Sequence, residues 1–153
     1  MAFSISSSAF TSGGSIPREF TADGRDVSPA LSWENPPSGT QAFTLICDDP
    51  DAPRGTWVHW VIWNLPASAR GLSEGIQPKK SMADGSAQGK NDFGRIGYGG
   101  PSPPPGKPHR YFFRLYALKE KLSLVAGASR RELDKAMEGK ILGAAEVFGT
   151  YKR

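Results

Sequence analysis

Cysteine is almost missing from this chain. Cys47 is the only one in 153 residues, which excludes an internal disulfide and fits a reducing compartment, with the cytoplasm as the expected location. Long apolar runs are missing too. No stretch approaches the ~20 residues that a membrane span needs, so no integral membrane association is expected. The N-terminus, Met1-Ala2-Phe3-Ser4-Ile5, has neither a basic n-region nor an apolar h-region, so no signal peptide is expected. Basic clusters with interleaved aromatics are also lacking. The net charge is +4, and Lys107 to Arg153 hold eleven Lys and Arg against five Asp and Glu. The pairs Arg130-Arg131 and Lys152-Arg153 are nevertheless too sparse for a nucleic-acid surface, and the basic C-terminal part reads as a solvated face. Histidine is scarce as well: His59 and His109 are the only two.

What is abundant is glycine, 18 residues, and proline, 13. That load argues against a helical bundle and for a loop-rich β protein, and the length fits one domain over residues 1–153 with a real core. Three runs read as strands: Ala42 to Cys47, Trp57 to Leu65 and His109 to Leu118. The second is apolar almost throughout, as for a strand buried on both faces, and the third is rich in aromatics. Phe3 with Ile5, and Ala30-Leu31-Ser32-Trp33, suggest further strands.

Ser129-Arg130-Arg131-Glu132 fits a capping box at a helix start. Leu133, Met137, Ile141, Ala144 and Phe148 then follow at spacings of three and four, predicting one apolar stripe on a helix through Phe148. A shorter helix is expected between Pro66 and Leu72. The stretch from Leu72 to Pro108 is dominated by Gly, Pro, Ser and Asn, and its stiff exit through Pro103-Pro104-Pro105 suits a pocket rim.

Both histidines sit at the start of a strand-like run, where a sheet end can hold a ring against a pocket. A group that titrates near neutral pH, with a tyrosine and backbone N–H groups nearby, suits an anion. The turn Asp48-Asp49-Pro50-Asp51-Ala52-Pro53 adds carboxylates. Its prolines break the alternating pattern of a calcium loop, and two histidines with one cysteine do not complete a zinc site, so no metal is expected. Asp51 reads as a turn former, and the Ala52–Pro53 bond is expected to be cis. Gly100 to Lys107 is not a nucleotide loop: five residues separate Gly100 from Gly106, and Pro108 follows Lys107. Cys47 reads as a buried small hydrophobe, and no Gly-x-Ser-x-Gly elbow surrounds Ser102, so no enzyme activity and no cofactor are expected.

Several segments in order resemble the phosphatidylethanolamine-binding proteins, in their bacterial and archaeal Raf-kinase-inhibitor-like branch. They are Phe20-Thr21-Ala22-Asp23-Gly24, Ser28-Pro29-Ala30-Leu31-Ser32-Trp33, Asp49-Pro50-Asp51-Ala52-Pro53, Trp57-Val58-His59-Trp60, Asn64-Leu65-Pro66, Gly97-Tyr98-Gly99-Gly100-Pro101, His109-Arg110-Tyr111 and Gly149-Thr150-Tyr151. The resemblance implies a mainly β fold, a sandwich of a large and a smaller sheet with helices near the C-terminus. It also implies a small pocket for phosphate-type anions or phospholipid head groups, lined by Asp49, Trp57, His59, Gly100, Pro101, His109 and Tyr111. Two positions depart from the branch's pattern: Ser102 stands where cysteine is common, and Lys140 where histidine is common.

Three hydrogen bonds to an anion, at roughly 1.5–3 kcal/mol each, predict micromolar to millimolar affinity after the cost of association. Asp49 would orient a histidine rather than touch the anion. The alternative is a regulator that docks a protein partner through the pocket rim, as the family's kinase-inhibitor name implies; a homodimer stays open.

Overall fold

The computed structural model describes residues 1–153. Apart from a 3-10 turn at Arg18–Phe20, eight strands and one α-helix follow in the order β1 (Ser4–Ser6), β2 (Leu31–Glu34), β3 (Ala42–Asp49), β4 (Trp57–Pro66), β5 (Gly71–Leu72), β6 (Ala87–Gln88), β7 (His109–Leu118), α1 (Arg130–Met137) and β8 (Ile141–Tyr151). A three-stranded sheet runs β1-β2-β5, and a five-stranded sheet runs β6-β4-β3-β7-β8. All named pairings are antiparallel. The expected strands at 42–47, 57–65 and 109–118 are therefore the three central ones of the large sheet, and the sandwich is the architecture expected.

Period-two alternation sorts the large sheet into two buried faces. Phe43, Leu45 and Cys47 of β3 and Tyr111, Phe113 and Leu115 of β7 pack with Ile5 and Trp33 of the small sheet, forming the core between the sheets. Ile46 of β3 and Val61 and Trp63 of β4 turn outward to a second cluster that includes Leu122, Ala128, Leu133 and Met137. The large sheet is covered on both sides, which is why β4 reads as continuously apolar. Cys47 is buried in the inter-sheet core, as a small hydrophobe should be.

The capping box forms: Ser129 Oγ accepts from the Glu132 N–H, and the Glu132 carboxylate accepts from the Ser129 N–H. The helix, however, stops at Met137. Gly139 takes φ +75°, a left-handed turn that glycine adopts at low cost, and Ile141 to Tyr151 form β8 instead of further helix. That strand pairs with β7 from Leu118–Ile141 to His109–Tyr151. Long-range pairing along β7 outweighs a local helical spacing that Gly139 and Gly143 already weaken. Lys140 accordingly lies in a turn, its carbonyl accepting from the Lys119 N–H. The helix expected over 66–72 is also absent: Ala69 N–H closes a turn onto the Pro66 carbonyl, and Gly71 and Leu72 then pair with β2.

No peptide bond is cis, so Ala52–Pro53 is trans. The chain reverses by other means. Asp49 Oδ1 accepts from the Asp51 N–H at 2.8 Å, the Gly55 N–H closes onto the Ala52 carbonyl, and Gly55 takes φ +110°. Asp51 does more than form a turn. It grips Arg110 through Nε and Nη2, both at 2.9 Å, and also accepts the Arg110 backbone N–H. The β3–β4 turn is thereby tied to the start of β7.

Candidate functional site

At one end of the large sheet β3 stops, β4 starts and β7 starts, which brings Asp49, Trp57 and His109 together. Asp49 and Trp57 are register partners, and odd-numbered Asp49, His109 and Tyr111 share the face that points between the sheets. His59 arrives by a different route. The β3–β4 register slips between Cys47–Trp60 and Asp48–Val58, so His59 is the extra residue of a β-bulge. A bulge re-aims a side chain that strict alternation would send elsewhere. Here it lets Trp57 and Trp60, three positions apart, both face inward while His59 turns into the pocket. The His59 ring packs edge-on against Tyr111 (centroids 5.2 Å apart) and Phe93 (5.4 Å).

The resulting cavity of about 190 Å³ is lined by Asp49, Ala52, Pro53, Trp57, His59, Phe93, Ser102, Pro103, Pro104, His109 and Tyr111. It falls below the usual range for drug-sized ligands, roughly 300–1,000 Å³, and has room for a phosphate-sized group. Five of the seven expected residues line it: Asp49, Trp57, His59, His109 and Tyr111. Gly100 and Pro101 do not. The Gly100 N–H instead donates to Asp26 at 2.7 Å, and the Pro101 carbonyl accepts from the Ala22 N–H at 2.9 Å. A Cβ on Gly100 would meet the Phe20 carbonyl oxygen at 2.5 Å, so only glycine lets the rim lie this close to its support.

Each imidazole has one nitrogen fixed and one free. His109 Nδ1 donates to Asp49 Oδ2 at 2.7 Å, and His59 Nδ1 donates to the Gly99 carbonyl at 2.6 Å. A carboxylate and a carbonyl can only accept, so both rings carry hydrogen on Nδ1 and leave Nε2 for a ligand. Burial pushes the His59 pKa below the ordinary histidine value, opposed by the Gly99 carbonyl and nearby carboxylates. Tyr111 is almost fully buried; its hydroxyl makes no hydrogen bond of good geometry, although the Asp49 carboxylate lies near enough to attract its proton. Burial and the Asp49 carboxylate push its pKa up, keeping the hydroxyl a proton donor. Buried polar groups without partners are rare in folded proteins, and one in a pocket wall points to a ligand or ordered water.

The rim from Gly99 to Pro104 contains three prolines and so has few N–H groups to anchor it. Sequence reasoning missed what holds it. The turn at Thr21–Asp26 supports it through Asp26 and Ala22. Arg153, clamped by Asp23 (Nη2–Oδ1 2.8 Å), adds a hydrogen bond from Nη1 to the Pro103 carbonyl at 3.3 Å. Arg153 and Tyr151 hold the Asp23 pKa down to about 2. Ser102, Phe93, Pro103 and Pro104 were legible only as members of a rim. Ser102 Oγ has no hydrogen bond to either imidazole, whose Nδ1 atoms are taken by Gly99 and Asp49.

A family model for phosphatidylethanolamine-binding protein matches residues 6–152. The chain belongs to the phosphatidylethanolamine-binding protein family. It is 50% identical over 145 residues to a UPF0098 protein of Methanothermobacter thermautotrophicus, covering 95% of each chain. A UPF0098 protein of Aquifex aeolicus is 50% identical over 151 residues, covering 97% of this chain and 88% of its own. Among solved structures, a putative family homolog from Chlamydia trachomatis superposes with TM-score 0.90 at 38% identity, covering 99% of this chain and 98% of that one. Escherichia coli YbcL, described as a new member of the mammalian family, gives TM-score 0.91 at 30% identity over 100% and 99%. These relatives are of bacterial and archaeal type, and membership carries a general ligand-binding role. No helix is long and apolar enough to cross a membrane.

Proposed function

We propose that the pocket binds a phosphate-type anion, free or as a phospholipid head group, and performs no chemistry on it. The supporting observation is the convergence of His59, His109 and Tyr111 on one cavity of phosphate size, with both Nδ1 atoms engaged and the Tyr111 hydroxyl without a hydrogen bond. Both Nδ1–H acceptors lie behind the rings, so a proton taken up at Nε2 turns each ring into a donor facing the ligand. Asp49 accepts from His109 Nδ1 and fixes the ring's orientation, which is a positioning role. Trp57 and Phe93 stack edge-on (5.4 Å) at the mouth and offer apolar surface to the remainder of a phosphodiester. A nucleophile would need a base within hydrogen-bond reach, and neither imidazole holds a serine or cysteine in that position. Calorimetric titration with sulfate and with phosphorylethanolamine tests the reading: micromolar to millimolar binding, lost in His109→Ala, supports it, and no heat of binding with either ligand ends it.

Trp57, 38% exposed at the rim, favours a second reading in which a protein partner docks there. Trp57→Ala would then weaken a complex captured from lysate without changing sulfate affinity.

A further inference from the structure

The two histidines of the pocket are supported differently on the side away from the ligand. His109 has a carboxylate directly behind it. His59 has a backbone carbonyl, that of Gly99, and the N–H of the same peptide unit belongs to Gly100. That N–H donates to Asp26 Oδ1 at 2.7 Å, while the carbonyl accepts from His59 Nδ1 at 2.6 Å. A single peptide plane therefore carries a carboxylate on its donor end and an imidazole on its acceptor end. Hydrogen bonds in such a chain polarise one another: a charge accepting from the N–H makes the C=O a stronger acceptor. We infer that Asp26 is a positioning residue for His59, acting through the Gly99–Gly100 peptide to hold the ring in its Nδ1–H tautomer with Nε2 towards the pocket.

Three further observations support this. Asp26 takes φ +57°, a backbone conformation disfavoured for residues with a Cβ and tolerated best by Asn and Asp, so the chain accepts a local cost to place this carboxylate. The Gly99 N–H also donates to the His59 carbonyl at 2.9 Å, so the ring and main chain of His59 are both tied to Gly99. On its outer side Asp26 Oδ2 lies 3.8 Å from Arg95, whose guanidinium covers the Phe93 ring at 5.3 Å; Phe93 in turn lines the pocket. Each pocket histidine thus has an aspartate behind it, one in contact and one a peptide unit away.

The inference deepens the anion-binding reading and rests on it for its consequence, but its geometry can be tested without a ligand. Long-range ¹H–¹⁵N correlation spectra at pH 8, with His59→Gln to assign the signals, report the tautomer of each ring. Wild-type His59 is expected to be a single Nδ1–H species; an Nε2–H species in wild type overturns the inference before any Asp26 variant is made. Asp26→Gly removes the carboxylate without a penalty at positive φ. It should give a mixture of His59 tautomers and weaken sulfate binding about fivefold, the low end of coupling between linked sites. Asp26→Asn keeps an acceptor for the Gly100 N–H but not the charge, so both readouts should fall between wild type and Asp26→Gly. An unchanged tautomer in Asp26→Gly, or Asp26→Asn behaving like Asp26→Gly, overturns the peptide-borne link. Failure of sulfate to bind wild type would overturn the anion-binding reading alone, with the tautomer comparison still deciding the role of Asp26.

Discussion

Asp48 and Asp49 are adjacent in β3, both nearly fully buried, and alternation sends them to opposite faces of the large sheet. On the outer face Asp48 is saturated. Arg114 donates to both of its oxygens through Nε and Nη2, and Arg130 of α1 adds Nη1 at 2.9 Å. Glu146 accepts from Arg114 Nη1, and Asp134 accepts from Arg130 Nε. Both oxygens of the buried Asp48 carboxylate are paired, and the cluster fastens α1 to the sheet. On the inner face Asp49 meets one imidazole and one backbone N–H, beside a Tyr111 hydroxyl that makes no hydrogen bond of good geometry. Two adjacent carboxylates of one type differ in their partners: two arginines hold Asp48 on the outer face, while Asp49 holds an imidazole that lines a cavity. Unpaired buried atoms also occur away from the pocket, at Thr44 Oγ1 and Trp63 Nε1, so what marks the site is an unpaired hydroxyl beside two imidazoles on one cavity.

That contrast is most exposed to a pair of substitutions. Asp48→Ala leaves two partly buried arginines without their shared acceptor. It should cost about 3 kcal/mol, the low end for breaking a buried ion pair because both arginines keep some solvent, and lower Tm by roughly 10 °C in a chain of this size. Sulfate affinity measured below the lowered Tm should stay within about twofold, since no residue of the Asp48 cluster lines the cavity. Asp49→Ala should cost only ~1–2 kcal/mol, the penalty of an unsatisfied buried N–H, while sulfate affinity falls about tenfold. Thermal melts and calorimetry on both variants decide it, and equal destabilisation by the two would erase the distinction.

Tyr111→Phe sharpens the comparison from the other side. Removing a hydroxyl that makes no hydrogen bond of good geometry should leave Tm unchanged or slightly higher, and sulfate affinity should fall about fivefold, or ~1 kcal/mol for one lost hydrogen bond. Ser129→Ala, at the capping box that presents Arg130 to Asp48, should cost about 1 kcal/mol in a denaturant melt and leave sulfate affinity unaltered.

The smallest effect is with pH. His59 has a folded pKa below the ordinary value of ~6.5 because burial disfavours its charged form. Between those two values the unfolded chain binds more protons, so stability declines as pH falls below about 6.5 and the loss levels off below the folded pKa. His59→Gln should reduce this part of the slope in urea melts at pH 7.5, 6.5 and 5.5.

Much of this was legible in the sequence because burial and alternation agree along β3, β4 and β7, and because the strand-end histidines carry their chemistry in their type. The end of α1 was not: Ile141, Ala144 and Phe148 keep a helical spacing, and only the partner strand β7 decides for a strand. His59 was expected at the pocket and lines it, but the bulge that turns it there stayed hidden, since a bulge leaves no mark in composition. Gly100 and Pro101 were recognised as rim, but no local pattern says which way a rim peptide turns. Asp23, Asp26 and Arg153 act across long sequence separations, which a single chain without pairing information does not reveal.

Because the chain has only two histidines, each ring gives its own Hε1 signal, and one titration reads both. Sulfate is added to the wild-type protein at pH 8, 7 and 6, following the two Hε1 shifts by NMR, with Lys152→Ala as the control for diffuse attraction by the basic tail. Binding that needs a proton at Nε2 should tighten as pH falls, move both ring signals saturably, and be the same in Lys152→Ala. Affinity that is flat across this range, with the ring signals unmoved, would contradict a site built on the two imidazoles.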